Sequence, residues 1–204
     1  MNYLLHLFLS RDLGDEALLG NLMGDFIKGP LLDQQPPAVL RGVALHRAQD
    51  AFCAANALFA LGRARLPSGA GLFRGIVLDI FYDHLLAKNW PPDCGPSLEA
   101  FSRRIYRLLE ENLALLPEPL LRVARRMIRE DWLCGYAGAE FIDEVLVRLS
   151  RRIRRGEAMH SCLGKLDELA PALEEDLGQF LPQADRYTRN WWHQNFRNFQ
   201  EPTP

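Results

Sequence analysis

The segment IVLDIFYDHLLAKNW, residues 76–90, constrains the fold more than any other part of the chain. It is apolar almost all the way round a helix, the pattern of a helix buried on every side. Yet it contains Asp79, Asp83 and His84. A buried, unpaired carboxylate costs several kcal/mol or shifts its pKa. Whatever packs around this helix must therefore compensate two acids and an imidazole.

The surrounding sequence offers helices for that packing. Period-two strand patterns are scarce, whereas Leu18, Leu22 and Phe26, with Leu19, Met23 and Ile27, recur at helical spacing. They predict a helix over about 14–28, stopped by Gly29 and Pro30. A long helix over about 37–64 follows the loop DQQPP, and the apolar segment itself extends over about 72–89. Further helices are expected over about 97–115, 118–133, 138–154 and 164–180. The 204 residues show no internal repeat and no dividing linker. The expected architecture is therefore a single all-α domain over 1–204, a non-repeating helical bundle. Residues 182–204 are expected to form a C-terminal tail packed on it, carrying the aromatics Trp191, Trp192 and Phe196.

Several classes are argued against. No apolar run reaches the roughly 18 residues that a membrane span needs. The apolar start MNYLLHLFLS lacks a basic region and a small-residue cleavage site, and reads as part of the fold. Cys53, Cys94, Cys134 and Cys162 are scattered, without zinc-finger spacing, which favours free thiols in a reducing cytoplasm.

Projected at about 100° per residue, the polar residues gather inward. Asp25 falls with Leu18 and Leu22. His46 and Asp50 are four apart, on the side of Val39, Val43 and Cys53. Asp79 and Asp83 are four apart, near Ile76, Leu86 and Trp90, and His84 lies about 100° further round. Three separate helices thus aim Asp or His at the interior. A shared cation makes such a set tolerable. Asp with His suits Mg²⁺, Mn²⁺, Fe²⁺ or Zn²⁺, and the absence of thiolates argues against a structural zinc site. A site of this kind activates water and clamps a phosphoryl oxygen. The plainer alternative is a set of ion pairs, Asp25 with Arg41 or Arg47 and Asp50 with Arg47, around satisfied core histidines. His6, the lone polar side chain in LLHLFL, is either a core histidine or a member of the site.

The cations are nearly all arginine, with lysine only at Lys28, Lys88 and Lys165. Three groups stand out: Arg103, Arg104 and Arg107; Arg122, Arg125, Arg126 and Arg129; and Arg148, Arg151, Arg152, Arg154 and Arg155. Each is either a solvated face or a docking patch for an anionic partner. The net charge of −2 and the lack of a recognisable motif argue against nucleic acid.

In order and interval, MNYLLHLFLS, GNLMGDFIKG, GVALHRAQDAF and IVLDIFYDHLLAKNW resemble the acyl carrier protein phosphodiesterase family. The similarity continues through REDWLCGYAGAEFIDEVLVRLSRR. One departure is Phe8, where an HLHL pattern would place a second histidine. The resemblance implies a divalent-metal hydrolase, usually manganese-supported and an atypical relative of the HD phosphohydrolases. Such an enzyme removes the 4′-phosphopantetheine arm from holo-acyl carrier protein. The order of Asp83 and His84 reverses the His-Asp doublet of that superfamily.

Carried onto this sequence, the family motifs fall on Asp25, on His46, Arg47 and Asp50, and on Asp79, Asp83 and His84. The roles expected are metal ligation by Asp25, His46 and Asp83, with Asp79 as a further ligand or an orienting group. His84 or Asp50 is expected to handle the proton, and Arg47 or Lys28 to hold a phosphate oxygen. The carrier protein, being acidic, would be steered by basic surface. Two other functions fit the same residues: a metal phosphohydrolase of a nucleotide or small phosphoester, and a non-catalytic helical module that binds an acidic partner.

Overall fold

The computed structural model describes residues 3–30 and 35–195, and no strand occurs among them. In chain order the helices are α1 (Tyr3–Leu9), α2 (Asp15–Met23), α3 (Pro37–Ala55), α4 (Ala57–Arg65), α5 (Arg74–Lys88), α6 (Leu98–Glu111), α7 (Glu118–Arg129), α8 (Trp132–Gly135), α9 (Ala139–Ser150) and α10 (Leu166–Gln194). Short 3-10 turns occupy Ser68–Phe73, Leu113–Leu115 and Gly156–Cys162. None of these helices is long and apolar enough to cross a membrane.

The apolar segment forms α5 and sits at the centre. Val77, Leu78 and Ile80 through Ala87 are buried, and α1, α4, α9 and α10 pack against it. Outer helices show the complementary pattern. In α7, Leu120, Ala124 and Met127 form the inward stripe, and arginines line the opposite face.

Helices α2 and α3 approach unusually closely. Gly20 and Gly42 face one another, and a Cβ on either would collide with the other helix's backbone. This contact sets the carboxyl end of α2 beside the middle of α3, where His46 lies.

Several helix boundaries differ from expectation: α2 ends at Met23 rather than near 28, and the helix expected over 118–133 is divided into α7 and α8. The helix over 37–64 is broken at Asn56, which leaves the helical conformation. Its side chain accepts hydrogen bonds from the N–H groups of Leu58 (2.9 Å) and Phe59 (3.4 Å), capping α4. Conversely, α10 continues through Pro171 and Pro182 to Gln194, so the region from 182 to 194 is helix. A proline inside a helix costs about 3 kcal/mol. The buried face of Leu166, Leu173, Leu177 and Phe180 offsets the two prolines, at roughly 1.5–3 kcal/mol for each large apolar side chain. Near the end of α10 the Trp192 ring carries the Arg41 guanidinium at 3.6 Å. Phe196 lies outside the described residues.

Candidate metal centre and the cleft beside it

His6 from α1 and His46 from α3 stack with ring centroids 3.9 Å apart and planes 12° apart. Asp50, one turn beyond His46, spans both rings. Its Oδ1 is 3.1 Å from His6 Nε2 and its Oδ2 is 3.3 Å from His46 Nε2. Asp25 adds an oxygen 3.5 Å from His46 Nε2. Asp25 comes from the turn after α2, not from the helix itself, which ends at Met23. Gly24 makes this arrangement possible, because a Cβ there would overlap the His46 ring. The imidazole side chains keep only 3% and 5% exposure, against 42% for Asp50 and 46% for Asp25. The cluster is thus walled by histidine and open on its carboxylate side.

Buried amides fix the direction of both imidazoles. Asn21 Nδ2 donates to Ser10 Oγ (2.7 Å) and to Gln49 Oε1 (2.9 Å). That leaves Asn21 Oδ1 to accept from His46 Nδ1 at 3.1 Å. Gln49 Nε2 donates to Thr188 Oγ1 at 3.1 Å, and Gln49 Oε1 accepts from His6 Nδ1 at 2.7 Å. With the amide orientations assigned from this network, each Nδ1 carries a proton and each Nε2 faces the carboxylates. Amide partners of this kind are what orient histidine ligands in metal sites.

The electrostatics follow from this crowding. Burial and the neighbouring His46 push His6 down to about 4, so it stays neutral. Burial also disfavours a charge on His46, but hydrogen bonds to the Asp25 and Asp50 carboxylates outweigh it and raise its pKa. Asp50 is held far below the usual carboxylate range, because hydrogen bonds with both histidines overcome its burial. Asp25 is lowered in the same way, with His46 outweighing burial. The 3.1 Å contact between His6 Nε2 and Asp50 Oδ1 is a hydrogen bond when the ring is protonated, whereas in the neutral ring it sets a lone pair against a carboxylate oxygen. Two acceptors at that distance repel unless a cation lies between them. The donor set suits one: two imidazole nitrogens and a carboxylate oxygen lie within 4.8 Å of one another, with Asp25 alongside.

A cleft of about 400 Å³ adjoins the cluster and shares Asp25 with it. Asp79 lies on its wall, with Ile76 and Ile80 from α5, Val145 and Leu149 from α9, and Val123, Tyr3 and Trp132. Burial, then the charge of Asp50, raises Asp79 to about 6. Arg148 and Arg152 also line the cleft. Arg148 is tied to Glu130 and Glu144, whereas Arg152 has no acidic partner among the described residues.

The other expected residues are placed differently. Asp83 does not join the cluster. Its two oxygens accept the backbone N–H groups of Leu4 and Leu5, both at 2.8 Å, and so satisfy the start of α1. His84 is turned away, its Nδ1 donating to the Tyr136 carbonyl at 2.8 Å. Arg47 donates to the Ile27 carbonyl at 2.7 Å and pins the turn that carries Asp25. Lys28 is exposed, next to that turn. Neither arginine proposed as an ion-pair partner for Asp25 or Asp50 forms such a pair among the described residues. His6, left open by the sequence, is a full member of the cluster. Asn21 and Gln49 were not anticipated. Their only sequence signal is an uncharged amide inside an apolar helical face. Phe8 packs edge-on against Trp90 at 5.2 Å, so a histidine at position 8 would point away from the cluster.

A family model described as acyl carrier protein phosphodiesterase matches residues 1–184. The chain belongs to the acyl carrier protein phosphodiesterase family. Curated proteins of that name are similar along nearly their whole length. The one from Photorhabdus laumondii is 32% identical over 183 residues, covering 89% of this chain and 92% of its own. That of Serratia proteamaculans is 31% identical, covering 90% and 95%. That of Klebsiella pneumoniae is 31% identical, covering 93% and 98%. No solved structure matches. Of the residues in the motifs that carry the resemblance, His6, Asp25, His46 and Asp50 are brought together by the fold, and Asp83 and His84 are not.

Proposed function

We propose that this protein is a divalent-metal hydrolase that removes 4′-phosphopantetheine from holo-acyl carrier protein, leaving the carrier serine free. The observation that carries this reading is the meeting of His6 Nε2, His46 Nε2 and the Asp50 carboxylate in a member of this family. His6, His46, Asp50 and Asp25 would hold the ion, with Mn²⁺ the first to test. When bound, such an ion supplies Lewis acidity to a phosphoryl group.

The chain's own residues do the rest. Asn21 and Gln49 keep both Nε2 atoms turned inward. Arg152 meets the negative charge of the phosphodiester. Asp79, on the cleft wall beside Asp25, is a carboxyl able to carry a proton near the phosphoryl group. The arginines at 148–155 form the docking rim for an acidic carrier. Arg151, Arg152, Arg154 and Arg155 have no acidic partner among the described residues, and Arg148 and Arg152 reach the cleft. In the other two groups Arg104 is paired with Asp15, Arg122 with Glu118, and Arg126 and Arg129 with Glu130; Arg103, Arg107 and Arg125 have no acidic partner among the described residues, but none of the three lines the cleft. A non-catalytic helical module would use the same contacts as histidine–aspartate ion pairs, and it predicts no binding of Mn²⁺ and no turnover.

The test is incubation of holo-acyl carrier protein with the protein, with and without Mn²⁺, read by intact mass. Loss of the phosphopantetheine mass only with metal supports the reading. An unchanged carrier under both conditions refutes it, and release of phosphate or nucleoside from small esters alone would favour a small-molecule phosphohydrolase.

A further inference from the structure

The cleft beside the metal centre is larger and more apolar than water activation requires. At about 400 Å³ it falls in the size range of small-ligand sites, roughly 300–1,000 Å³. Its wall is set mainly by Ile76, Ile80, Val145, Leu149, Val123 and Trp132. Polar groups gather where it meets the cluster. Asp25 belongs to both, and the Tyr3 hydroxyl feels the charges of Asp25 and Arg152 together.

A phosphodiester poised at Asp25 has two ester arms. One leads to a serine on a folded carrier, far too bulky for this space. The other is slender, with a dimethyl-substituted carbon, methylenes and two amides. We propose that the cleft is the receptor for this pantetheine arm, with its phosphate at the Asp25 end beside Arg152 and its chain lying between α5 and α9. The inference rests on the function proposed above and adds the direction in which the substrate lies. The aliphatic wall removes the arm's carbon groups from water, at about 25 cal/mol per Å² of apolar surface. The carrier stays outside, against the arginine rim.

Substitution on the α9 wall tests this in the full chain. Val145 and Leu149 are partly exposed in the cleft, so Val145→Trp and Leu149→Trp fill it without replacing a fully buried residue. Turnover of holo-acyl carrier protein is compared with that of bis(p-nitrophenyl) phosphate, which has no arm, and folding is checked by thermal unfolding. The ratio of carrier to small-ester turnover should fall at least tenfold in each folded variant. Calorimetry with 4′-phosphopantetheine and Mn²⁺ should show binding to the parent protein and weaker binding to the variants. An unchanged ratio in either folded variant overturns the proposal, as does equal binding of the free arm. A parent protein inert toward the carrier defeats the functional reading instead. The cleft is then judged by calorimetry alone, where absence of binding overturns it.

Discussion

His6 and His46 stack face to face at 3.9 Å, and each donates its Nδ1 proton to a different buried amide. Two imidazolium ions could not share that contact, so the pair is built to hold at least one neutral ring. The same geometry presents two Nε2 atoms side by side.

The amides should therefore matter to metal affinity although they touch no metal. Asn21→Leu and Gln49→Leu should each weaken Mn²⁺ binding by about 10–100-fold, the usual effect of losing an orienting partner. His6→Ala and His46→Ala should abolish it. Calorimetric titration checks this, and full affinity in Gln49→Leu would show that His6 needs no orientation.

Gly24→Ala drives a methyl group into the His46 ring. The helices should survive, as read by far-UV circular dichroism, while Mn²⁺ binding drops at least tenfold. Gly178→Ala is the control. It meets no neighbour within 4 Å and should stabilise α10 by about 0.5–1 kcal/mol.

Asp83 couples pH to stability. Burial raises it from an ordinary 3.8 to about 7, against the two amide hydrogen bonds that favour its charge. Between those values the folded chain holds a proton that the unfolded chain has lost. This group therefore makes stability fall as pH rises from about 4 to about 7. Asp83→Asn should remove that part of the slope in urea midpoints measured across the window. A slope identical to the parent's would place the effect elsewhere.

Charge reversal on the rim should act through encounter rate. Arg151→Glu with Arg154→Glu should lower kcat/KM for the carrier protein at least tenfold at low salt. The deficit should shrink as salt rises, because exposed charges are screened over about 10 Å at 0.1 M. A deficit independent of salt would point to lost contacts rather than steering.

Much of this was legible in the sequence, for reasons that differ by residue. The all-apolar segment identified α5 as the central helix, since nothing else hides so much surface. His46 and Asp50 were placed together by helical spacing, which holds within α3. Asp25 does reach His46, but from an exposed position in the turn after α2, because helical projection does not hold past Met23. Asp79 and Asp83 share a helix and were expected to share a cation. Spacing gives only their direction; what waits there, a cleft for one and the amides of α1 for the other, is tertiary. The helical pattern read over 164–180 stops short of the end of α10, which packing carries through Pro182 to Gln194. Asn21 and Gln49 passed unnoticed because an uncharged amide signals little until its partners are known.

The hydrogen bond from Gln49 to Thr188 joins positions 139 apart. Asp83 holds the α1 turn that carries His6, nearly eighty residues earlier. During synthesis, then, a partly emerged chain has the histidines but not their supports. The direction of the His6 ring is thus set through Gln49 by Thr188 of α10, an element more than a hundred residues further along the chain.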